Sequence, residues 1–462
     1  MPEDVRDAIE RFADHVISTP FEAIPAAAIT AAKTYLLDSL GVGVAGTRAS
    51  YVDAWIDGYQ GAVPGAGGRI WGLGGTLPTP AAAAVNGFLI HNSEYDCVHE
   101  GAVLHPMATL LSALMAEVEA RGVAGHATDG KALLRAIVLG VDVSTSIGNA
   151  VTTGLKFFRP ATAGGFGATA AIGAIAGLDR ESLLDAFGLY YAQAGGTMQA
   201  HTEGLALLAM QAGFCARNAV VAVRMAEQGI PGTRGTLEGP YGYLRLMEDA
   251  YDREALLGGL GTVWRITEVA HKPFPSGRAT HGLLDGLSSL LAEHSFSVDA
   301  VERVEASVPP LTHRLIGRPV KEGMQANYAR LSGPYTAARM LLTGTLDLTD
   351  FTDEALADPA TLDLGARVSV QADGNPDPNA FSPVTVTIVL KDGRRLERAV
   401  DVVYGSPAKP MSREAHLAKF RANIAHGRGG LPAQNAERLI ALVDDLETVA
   451  DTRGLIDLLV SA

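Results

Sequence analysis

The stretch Thr267–His281, which reads TEVAHKPFPSGRATH, divides the chain into two parts of different character. On its N-terminal side, apolar residues recur at helical spacing through long segments that are rich in Ala and Gly. On its C-terminal side, prolines interrupt the chain, and short segments alternate between apolar and polar residues, as in strands. The order of these patterns predicts a large helical region followed by a smaller unit of helices and strands.

The N-terminal side predicts helices almost throughout. In the first of them, Asp4–Ser18, the apolar positions 5, 9, 12 and 16 share one helix face. Several other segments have Pro or Asp near the start and Gly at the end, which are helix start and stop signals. The further predicted helices are Pro25–Val44, Pro80–His91, Pro106–Arg121, Gly130–Val151, Phe166–Ala176, Arg180–Gly195, Leu205–Gln228 and Asp252–Leu260.

The C-terminal side predicts a small sheet. Its four strands are Val301–Val308, Arg367–Gln371, Val384–Leu390 and Arg395–Val402. Asp392-Gly393 between the last two is a hairpin signal. Helices are predicted at Gly277–His294 and Ser332–Leu342, and the tail, Ser412–Ser461, returns to a helical pattern. We therefore predict a mostly α fold in which residues 1–266 and 404–462 form an all-helical domain with an inserted α+β domain at 267–403.

Composition and charge narrow the class of protein. With 462 residues, 47% of them hydrophobic, the chain has the material for a large buried core, and its net charge of −14 argues against nucleic acid. Cys97 and Cys215 are the two cysteines, which indicates a reducing, cytoplasmic environment rather than a disulfide framework. The start, MPEDVRDAIERF, lacks an apolar signal region, and the apolar runs are too interrupted to predict a membrane span.

The first candidate segment is Asn86–Pro106, NGFLIHNSEYDCVHEGAVLHP, a polar loop between two buried helices. It brings Glu94, Asp96, His99 and His105 close together in sequence. A histidine just before a helix start has a lowered pKa and can transfer protons near pH 7. The competing interpretation is that these histidines cap helices or satisfy hydrogen bonds in the core. We predict no metal, because neither HExxH nor CxxC is present.

Two further segments carry cationic candidates. Arg159 precedes a Gly-rich turn that opens a helix, an arrangement suited to a carboxylate, although a solvated arginine beside closely packed helices is an equal alternative. The Thr267–His281 stretch supplies Lys272, Arg278 and His281, and a lysine in a closed cleft can act as a base. His201 follows a Gly-Gly turn and is a weaker candidate for the same cleft.

These segments resemble the MmgE/PrpD family, which includes 2-methylcitrate dehydratase, cis-aconitate decarboxylase and iminodisuccinate epimerase. The resemblance extends over nearly the whole chain and implies a helical domain, a smaller α+β lid, a homodimer and a cleft between the domains. It is carried by AAKTYLLDSLGVG (31–43), the 86–106 loop, GGFGATAAIGAIAGLD (164–179), LEGPYGY (237–243), the 271–281 segment, 404–412 and Lys419-Phe420.

The match to the family is imperfect at the candidate site. Glu94 stands where an Asp is usual, Arg159 stands where many members have a His, and Leu208 stands where many have a Lys. His105-Pro106 and the Lys272-Pro-Phe-Pro run match the family's His-Pro and Lys-Pro-Tyr/Phe-Pro. These departures predict a divergent subgroup with an altered pocket.

The resulting hypothesis is a cofactor-independent dehydratase that removes a proton α to a carboxylate of a small hydroxy-polycarboxylic acid, as 2-methylcitrate dehydratase does. Lys272 is the expected base, and His105 the acid, assisted by Glu94 or Asp96. The residues expected to hold the substrate are Arg159, His99, His201, Arg278 and His281. The alternatives are an epimerase of a small dicarboxylate, a cis-aconitate decarboxylase-like lyase and a non-catalytic binding protein that kept the cleft.

Overall fold

The structure is a computed structural model that describes residues 6–60 and 67–460, and the side chain of Gln60 is outside this description. The first part of the chain is helical, with a two-stranded ribbon, β1 (Gly68–Arg69) and β2 (Thr76–Leu77). Its helices are α1 (Ala8–Ser18), α2 (Ala26–Ala45), α3 (Val52–Gln60), α4 (Thr79–His91), α5 (Pro106–Val123), α6 (Gly130–Asn149), α7 (Ala163–Ala176), α8 (Arg180–Tyr191), α9 (Gln199–Glu203), α10 (Leu207–Glu227), α11 (Tyr243–Leu246) and α12 (Arg253–Leu257).

The second part of the chain mixes helices with a sheet, and the tail is helical again. The mixed part contains α13 (His281–Glu293), β3 (Val301–Val308), α14 (Pro310–Ile316), α15 (Ala326–Ala329), α16 (Gly333–Thr343), α17 (Asp353–Leu356), α18 (Pro359–Gly365), β4 (Val368–Ala372), β5 (Val384–Leu390) and β6 (Arg395–Val400). The tail contains α19 (Arg413–His426), α20 (Ala433–Asp444) and α21 (Arg453–Asp457). The predicted mostly α fold is confirmed.

Small residues bring the central helices into close contact. A Cβ atom on Gly167 of α7 would lie 2.3 Å from the carbonyl oxygen of Gly140 on α6, so only glycine fits there. On α10, a Cβ atom on Gly213 would lie 2.2 Å from the carbonyl oxygen of Ala84 on α4. The Ala- and Gly-rich composition of these segments therefore sets the distances between the helix axes in the core.

The four-stranded sheet has the order β4-β3-β5-β6, with β3 and β4 parallel and the other pairs antiparallel. Gly393 has φ +88°, a value that glycine adopts without strain, and it forms the turn of the predicted β5–β6 hairpin. Apolar side chains of the sheet pack against α13 and α16 in a second core, separate from that of the helical part. This second core holds the α+β part together as a unit of its own.

The tail packs into the first core. The ring of Phe420 on α19 is fully buried, and a Cβ atom on Gly41 of α2 would lie 2.6 Å from it. The division into a helical domain at 1–266 and 404–462 and a lid at 267–403 stays a proposal, and this packing of the tail on α2 supports it.

Several element boundaries differ from the sequence-based predictions. Residues 4 and 5 of the first predicted helix and residue 461 of the tail lie outside the described residues. The helix predicted to end at Gly195 ends at Tyr191, because the chain turns before Gly196, whose φ of +133° is incompatible with a helix. Helix α3, the short helices α9, α11, α14, α15, α17 and α18, and the β1–β2 ribbon were not predicted. Helix α6 is long and apolar enough to cross a membrane, but 83% of its apolar window is buried within the protein, as in a core helix.

Candidate active site

Two distant stretches meet in one place because their backbones pair. Helix α4 ends at His91, and the loop that follows runs to His105 before α5 begins. In this loop, Val98 exchanges two backbone hydrogen bonds with Ala270, at 3.0 and 2.7 Å. This bridge places Lys272, two residues further on, beside the acidic residues of the loop.

Lys272 is fully buried and lies between two carboxylates. Its Nζ atom donates to Oε2 of Glu94 at 2.9 Å and to the Glu94 carbonyl oxygen at 3.1 Å, and it lies 3.8 Å from Oδ1 of Asp96. Burial alone would raise the pKa of Glu94, but the charges of Lys272 and of nearby histidines outweigh it and lower this pKa to about 2. Glu94 is therefore a carboxylate, and Lys272 is its counter-ion.

Asp96 is shared by two histidines. Its Oδ2 atom lies 3.0 Å from Nδ1 of His91 and 3.4 Å from Nδ1 of His105, and the two rings meet edge to face with centroids 4.7 Å apart. Burial lowers the pKa of His91, but the charges of Asp96 and Glu94 raise it above its usual value overall. For His105, burial and the charge of Lys272 lower the pKa despite Asp96. The two histidines are thus tuned in opposite directions.

Hydrogen bonding fixes the tautomer of neutral His105. Its Nδ1 atom lies 3.0 Å from the carbonyl oxygen of Cys97, and because a carbonyl can only accept, Nδ1 carries the proton. The Nε2 atom is then an acceptor. A neutral imidazole with an accepting Nε2 and a carboxylate behind Nδ1 is the arrangement of a general base.

The loop around these residues is strained. Glu94 has φ +51° and Val103 has φ +47°, values in the left-handed region that a β-branched residue such as valine rarely adopts. Backbone strain of this kind clusters at functional sites, where the surrounding structure holds it in place. Both residues line the cavity next to His105.

This cavity lies between the helical part and the α+β part and encloses about 580 Å³, including its opening to solvent. Its wall contains five of the residues that the sequence singled out, namely Glu94, His105, Arg159, His201 and Arg278. The other four, Asp96, His99, Lys272 and His281, do not line it. Asp96 and Lys272 lie directly behind His105 and Glu94, so the structure brings the proposed acid–base residues together.

His99 and His281 have other partners. Nε2 of His99 lies 3.0 Å from Oε2 of Glu268, and its Nδ1 accepts from the Ala102 amide at 3.0 Å. The ring of His281 is fully buried, with Nε2 3.2 Å from the Ser276 carbonyl oxygen. Burial and the neighbouring Arg278 guanidinium keep the pKa of His281 well below its usual value. These contacts hold the loops in place.

Both arginines in the cavity wall are already paired with glutamates. Arg159 is fully buried, and its Nε lies 3.2 Å from Oε1 of Glu248, while Nη1 and Nη2 donate to two backbone carbonyls. Nε of Arg278 donates to Oε1 of Glu100 at 2.5 Å, and its Nη1 donates to the carbonyl oxygen of Tyr404 at 2.8 Å. Each guanidinium therefore adds little net charge to the cavity.

Sequence reasoning missed a third arginine near the cavity. Nη2 of Arg318 donates to the His201 carbonyl oxygen at 3.0 Å and lies 3.2 Å from Nδ1 of the same residue. Among the described residues, no carboxylate forms an ion pair with Arg318, and its buried Nη1 has no hydrogen-bond partner. Burial and Arg318 together lower the pKa of His201 to about 4. No motif marks Arg318, which follows an unremarkable Ile-Gly turn.

Two buried clusters have metal-ligand residue types, but their chemistry does not suit a cation. In the first, Asp38 is bracketed by His271 at 3.0 Å and by the Lys419 ammonium at 2.7 Å, with His416 nearby. A fixed positive charge already occupies that position. The second is the His91–Asp96–His105 group, where the Lys272 ammonium lies 3.8 Å from Asp96 and Nδ1 of His105, which carries a proton, cannot bind a cation.

Comparison with known proteins places this site in a family context. A model of the MmgE/PrpD N-terminal domain matches residues 10–255, and a model of the MmgE/PrpD C-terminal domain matches residues 274–448. The chain belongs to the MmgE/PrpD family. The stretch between the two matched regions, residues 256–273, contains Lys272.

Similar proteins span almost the whole chain. A cis-aconitate decarboxylase of Aspergillus terreus is 26% identical over 94% of this chain and 92% of its own length. The proteins of the same name from Mus musculus and Homo sapiens are 27% and 28% identical, over 98% and 93% of this chain and 94% and 90% of their own lengths. With the family assignment, these relatives identify the chain as a lyase of the MmgE/PrpD family.

Proposed function

We infer that this enzyme is a hydro-lyase that removes the α-proton of a 3-hydroxy carboxylic acid and releases water. The observation that carries this proposal is the accepting Nε2 atom of His105, held at the wall of the interdomain cavity by the Cys97 carbonyl and backed by Asp96. A base in this position acts on a C–H bond of a molecule bound in the cavity.

The proposed reaction needs only the substrate and one histidine, which carries the proton from carbon to oxygen. His105 takes the proton from C2, the electron pair of that C–H bond forms the C2=C3 double bond, and the C3–O bond breaks. The protonated ring then gives the same proton to the departing hydroxyl, so that the products are a 2-enoate and water. Asp96, whose pKa is held well below its usual value despite burial, stabilises the imidazolium between the two transfers.

Lys272 has a different role in this proposal from the one predicted from sequence. Because it is fully buried and hydrogen-bonded to Glu94, its ammonium keeps Glu94 ionised, while His91 and His105 do the same for Asp96. The paired carboxylates in turn hold His91 and His105 in their orientations. We therefore propose that His105 is the base. Lys272 is proposed to keep the neighbouring carboxylate of Glu94 in its ionised form.

A second candidate reaction is decarboxylation, and the names of the relatives favour it. His105 could also take part in decarboxylation, as an acid rather than as a base, because a decarboxylase must deliver a proton to the carbon that loses CO₂. One departure argues against decarboxylation: Leu208 stands where many members of the family have a lysine. Cytoplasmic location and a homodimer stay predictions.

One experiment separates the reactions. The protein is incubated with 3-hydroxy acids or with cis-aconitate in D₂O, and the substrate is followed by proton NMR. The expected result is loss of the C2 proton signal with appearance of vinyl protons. Stereochemical inversion without vinyl protons would identify an epimerase, CO₂ release would identify a decarboxylase, and binding without exchange would overturn the proposal of an enzyme acting at this carbon.

A further inference from the structure

The wall of the active-site cavity is mostly apolar on both sides. The helical part contributes Leu155, Phe158, Met198 and Leu208, and the α+β part contributes Leu315 and Phe381 among others. All of these except Met198 are at least nine-tenths buried. Apolar walls stabilise an apolar group that leaves water, but they offer no hydrogen bond to a carboxylate, which must then be desolvated without compensation.

The charged residues of the cavity do not offset the cost of removing several carboxylates from water. Arg159 and Arg278 are each paired with a glutamate, at 3.2 and 2.5 Å, and Glu94 in the lining is itself paired with Lys272 at 2.9 Å. The charge of Lys272 is neutralised by Glu94 and Asp96, which lie 2.9 and 3.8 Å from its ammonium. A molecule with three carboxylates would therefore find few unpaired cations among the residues that line the cavity.

The Arg318 guanidinium beside His201 offers a cationic position for a single carboxylate. His201 lines the cavity, and Arg318 is hydrogen-bonded to it with its Nη1 atom lacking a partner. Arg318 also packs its guanidinium over the ring of Tyr328, with 5.1 Å to the centroid, which fixes its orientation. A carboxylate that enters beside His201 would lie next to the Arg318 guanidinium, which forms no ion pair with a carboxylate among the described residues.

We propose that the substrate of this enzyme is an acid with one carboxylate, held at the His201–Arg318 pair, and an apolar substituent that occupies the pocket formed around Leu208. The inference rests on the proposed function in that it takes this cavity as the substrate site. It departs from the polycarboxylate substrate expected from the family resemblance. Leu208, at the start of α10 and 4% exposed, is the residue that determines this preference.

The test compares two six-carbon acids that cannot lose water, 4-methylpentanoate with one carboxylate and tricarballylate with three. Their dissociation constants are measured by calorimetry on the full-length protein. The wild-type protein is expected to bind 4-methylpentanoate at least tenfold more tightly. In Leu208→Lys, which places a cation in the pocket, this ratio is expected to shift at least tenfold towards tricarballylate, while the matched Leu208→Met variant keeps the wild-type ratio.

The outcomes distinguish this inference from the proposed reaction. Tighter binding of tricarballylate by the wild-type protein overturns the inference, whether or not α-protons exchange. Tighter binding of 4-methylpentanoate without any α-proton exchange in the NMR experiment supports the inference and removes the hydro-lyase reaction. If Leu208→Lys does not fold, as judged by circular dichroism, the wild-type comparison alone decides.

Discussion

The Nδ1 atom of His105 and the carbonyl oxygen of Cys97 are 3.0 Å apart, so the backbone of the loop dictates which ring nitrogen faces the cavity. Cys97 itself is fully buried, and burial keeps the pKa of its thiol well above the usual value. The backbone of Cys97 orients the His105 ring. The next residue, Val98, pairs with Ala270 and holds this backbone in place. The position of the general base thus depends on the junction between the two parts of the chain.

The first prediction concerns His105 itself. Replacing it in His105→Gln keeps a side-chain donor near the Cys97 carbonyl but removes the proton acceptor, so kcat/KM is expected to fall by about 10²–10⁴-fold. Calorimetric binding of 4-methylpentanoate and the circular dichroism spectrum are expected to stay near those of the wild-type protein. Activity within threefold of wild type would show that another group is the base.

The second prediction is the pH dependence of kcat/KM. His105 must be neutral to accept a proton, and burial together with Lys272 lowers its pKa below 6.5. Activity is therefore expected to rise with pH through a midpoint below 6.5 and to be level above it until another group titrates. Initial rates measured from pH 4.5 to 8 locate this midpoint. A midpoint above 7 would contradict the assignment.

The third prediction separates the two roles considered for Lys272. Lys272→Met leaves Glu94 and Asp96 buried without their cation, and loss of one partner of a buried pair costs about 3–5 kcal/mol in the free energy of unfolding. The double variant Lys272→Met/Glu94→Gln is expected to recover much of this loss, because it removes one of the two uncompensated charges. Urea denaturation measures both changes.

Activity of the same variants decides between the roles. If Lys272 only maintains charge, Lys272→Met/Glu94→Gln retains measurable α-proton exchange in D₂O, since His105 is intact. Complete loss of exchange in a folded double variant, with binding of 4-methylpentanoate unchanged, would restore Lys272 as the base.

Sequence patterns predicted the fold better than the details of the site. Helix periodicity and the Asp392-Gly393 hairpin depend on local residues, and the structure has these elements at the predicted places. The cluster around Asp96 was partly predictable, because its members lie in one loop and one junction. The ion-pair partners of Arg159 and Arg278 were not predictable. Glu248 and Glu100 belong to no motif, and only tertiary packing brings them to the arginines.

The fourth prediction follows from the pairing of Arg159. Its guanidinium and Glu248 are both almost fully buried, and Glu248 also accepts from the Tyr243 hydroxyl at 3.2 Å. Arg159→Met is expected to lower the free energy of unfolding by about 3–5 kcal/mol, and Arg159→Met/Glu248→Gln to recover part of it. A tenfold rise in KM for Arg159→Met with unchanged stability would instead show that Arg159 holds substrate.

The fifth prediction is a loss of stability in acid that arises from buried neutral histidines. Burial and Arg318 lower the pKa of His201 to about 4, and burial and His271 lower that of His416 to about 3. An unfolded histidine has a pKa of about 6.5, so below that pH the unfolded chain binds protons that the folded chain does not. The free energy of unfolding therefore falls as pH decreases, by up to about 1.4 kcal/mol per pH unit for each histidine.

The decline is expected to begin near pH 6.5 and, for His201, to level off below about 4, where the folded form binds the proton as well. Glu94, whose folded pKa is about 2, adds a further loss only as pH falls below 4.5. Between pH 6.5 and 5 the histidines therefore dominate. Urea midpoints of His416→Gln across this range are expected to show a shallower slope, whereas His126→Gln, at an exposed position, keeps the wild-type slope. Equal slopes for the two variants would mean that His416 binds its proton at the same pH in the folded protein as in the unfolded chain.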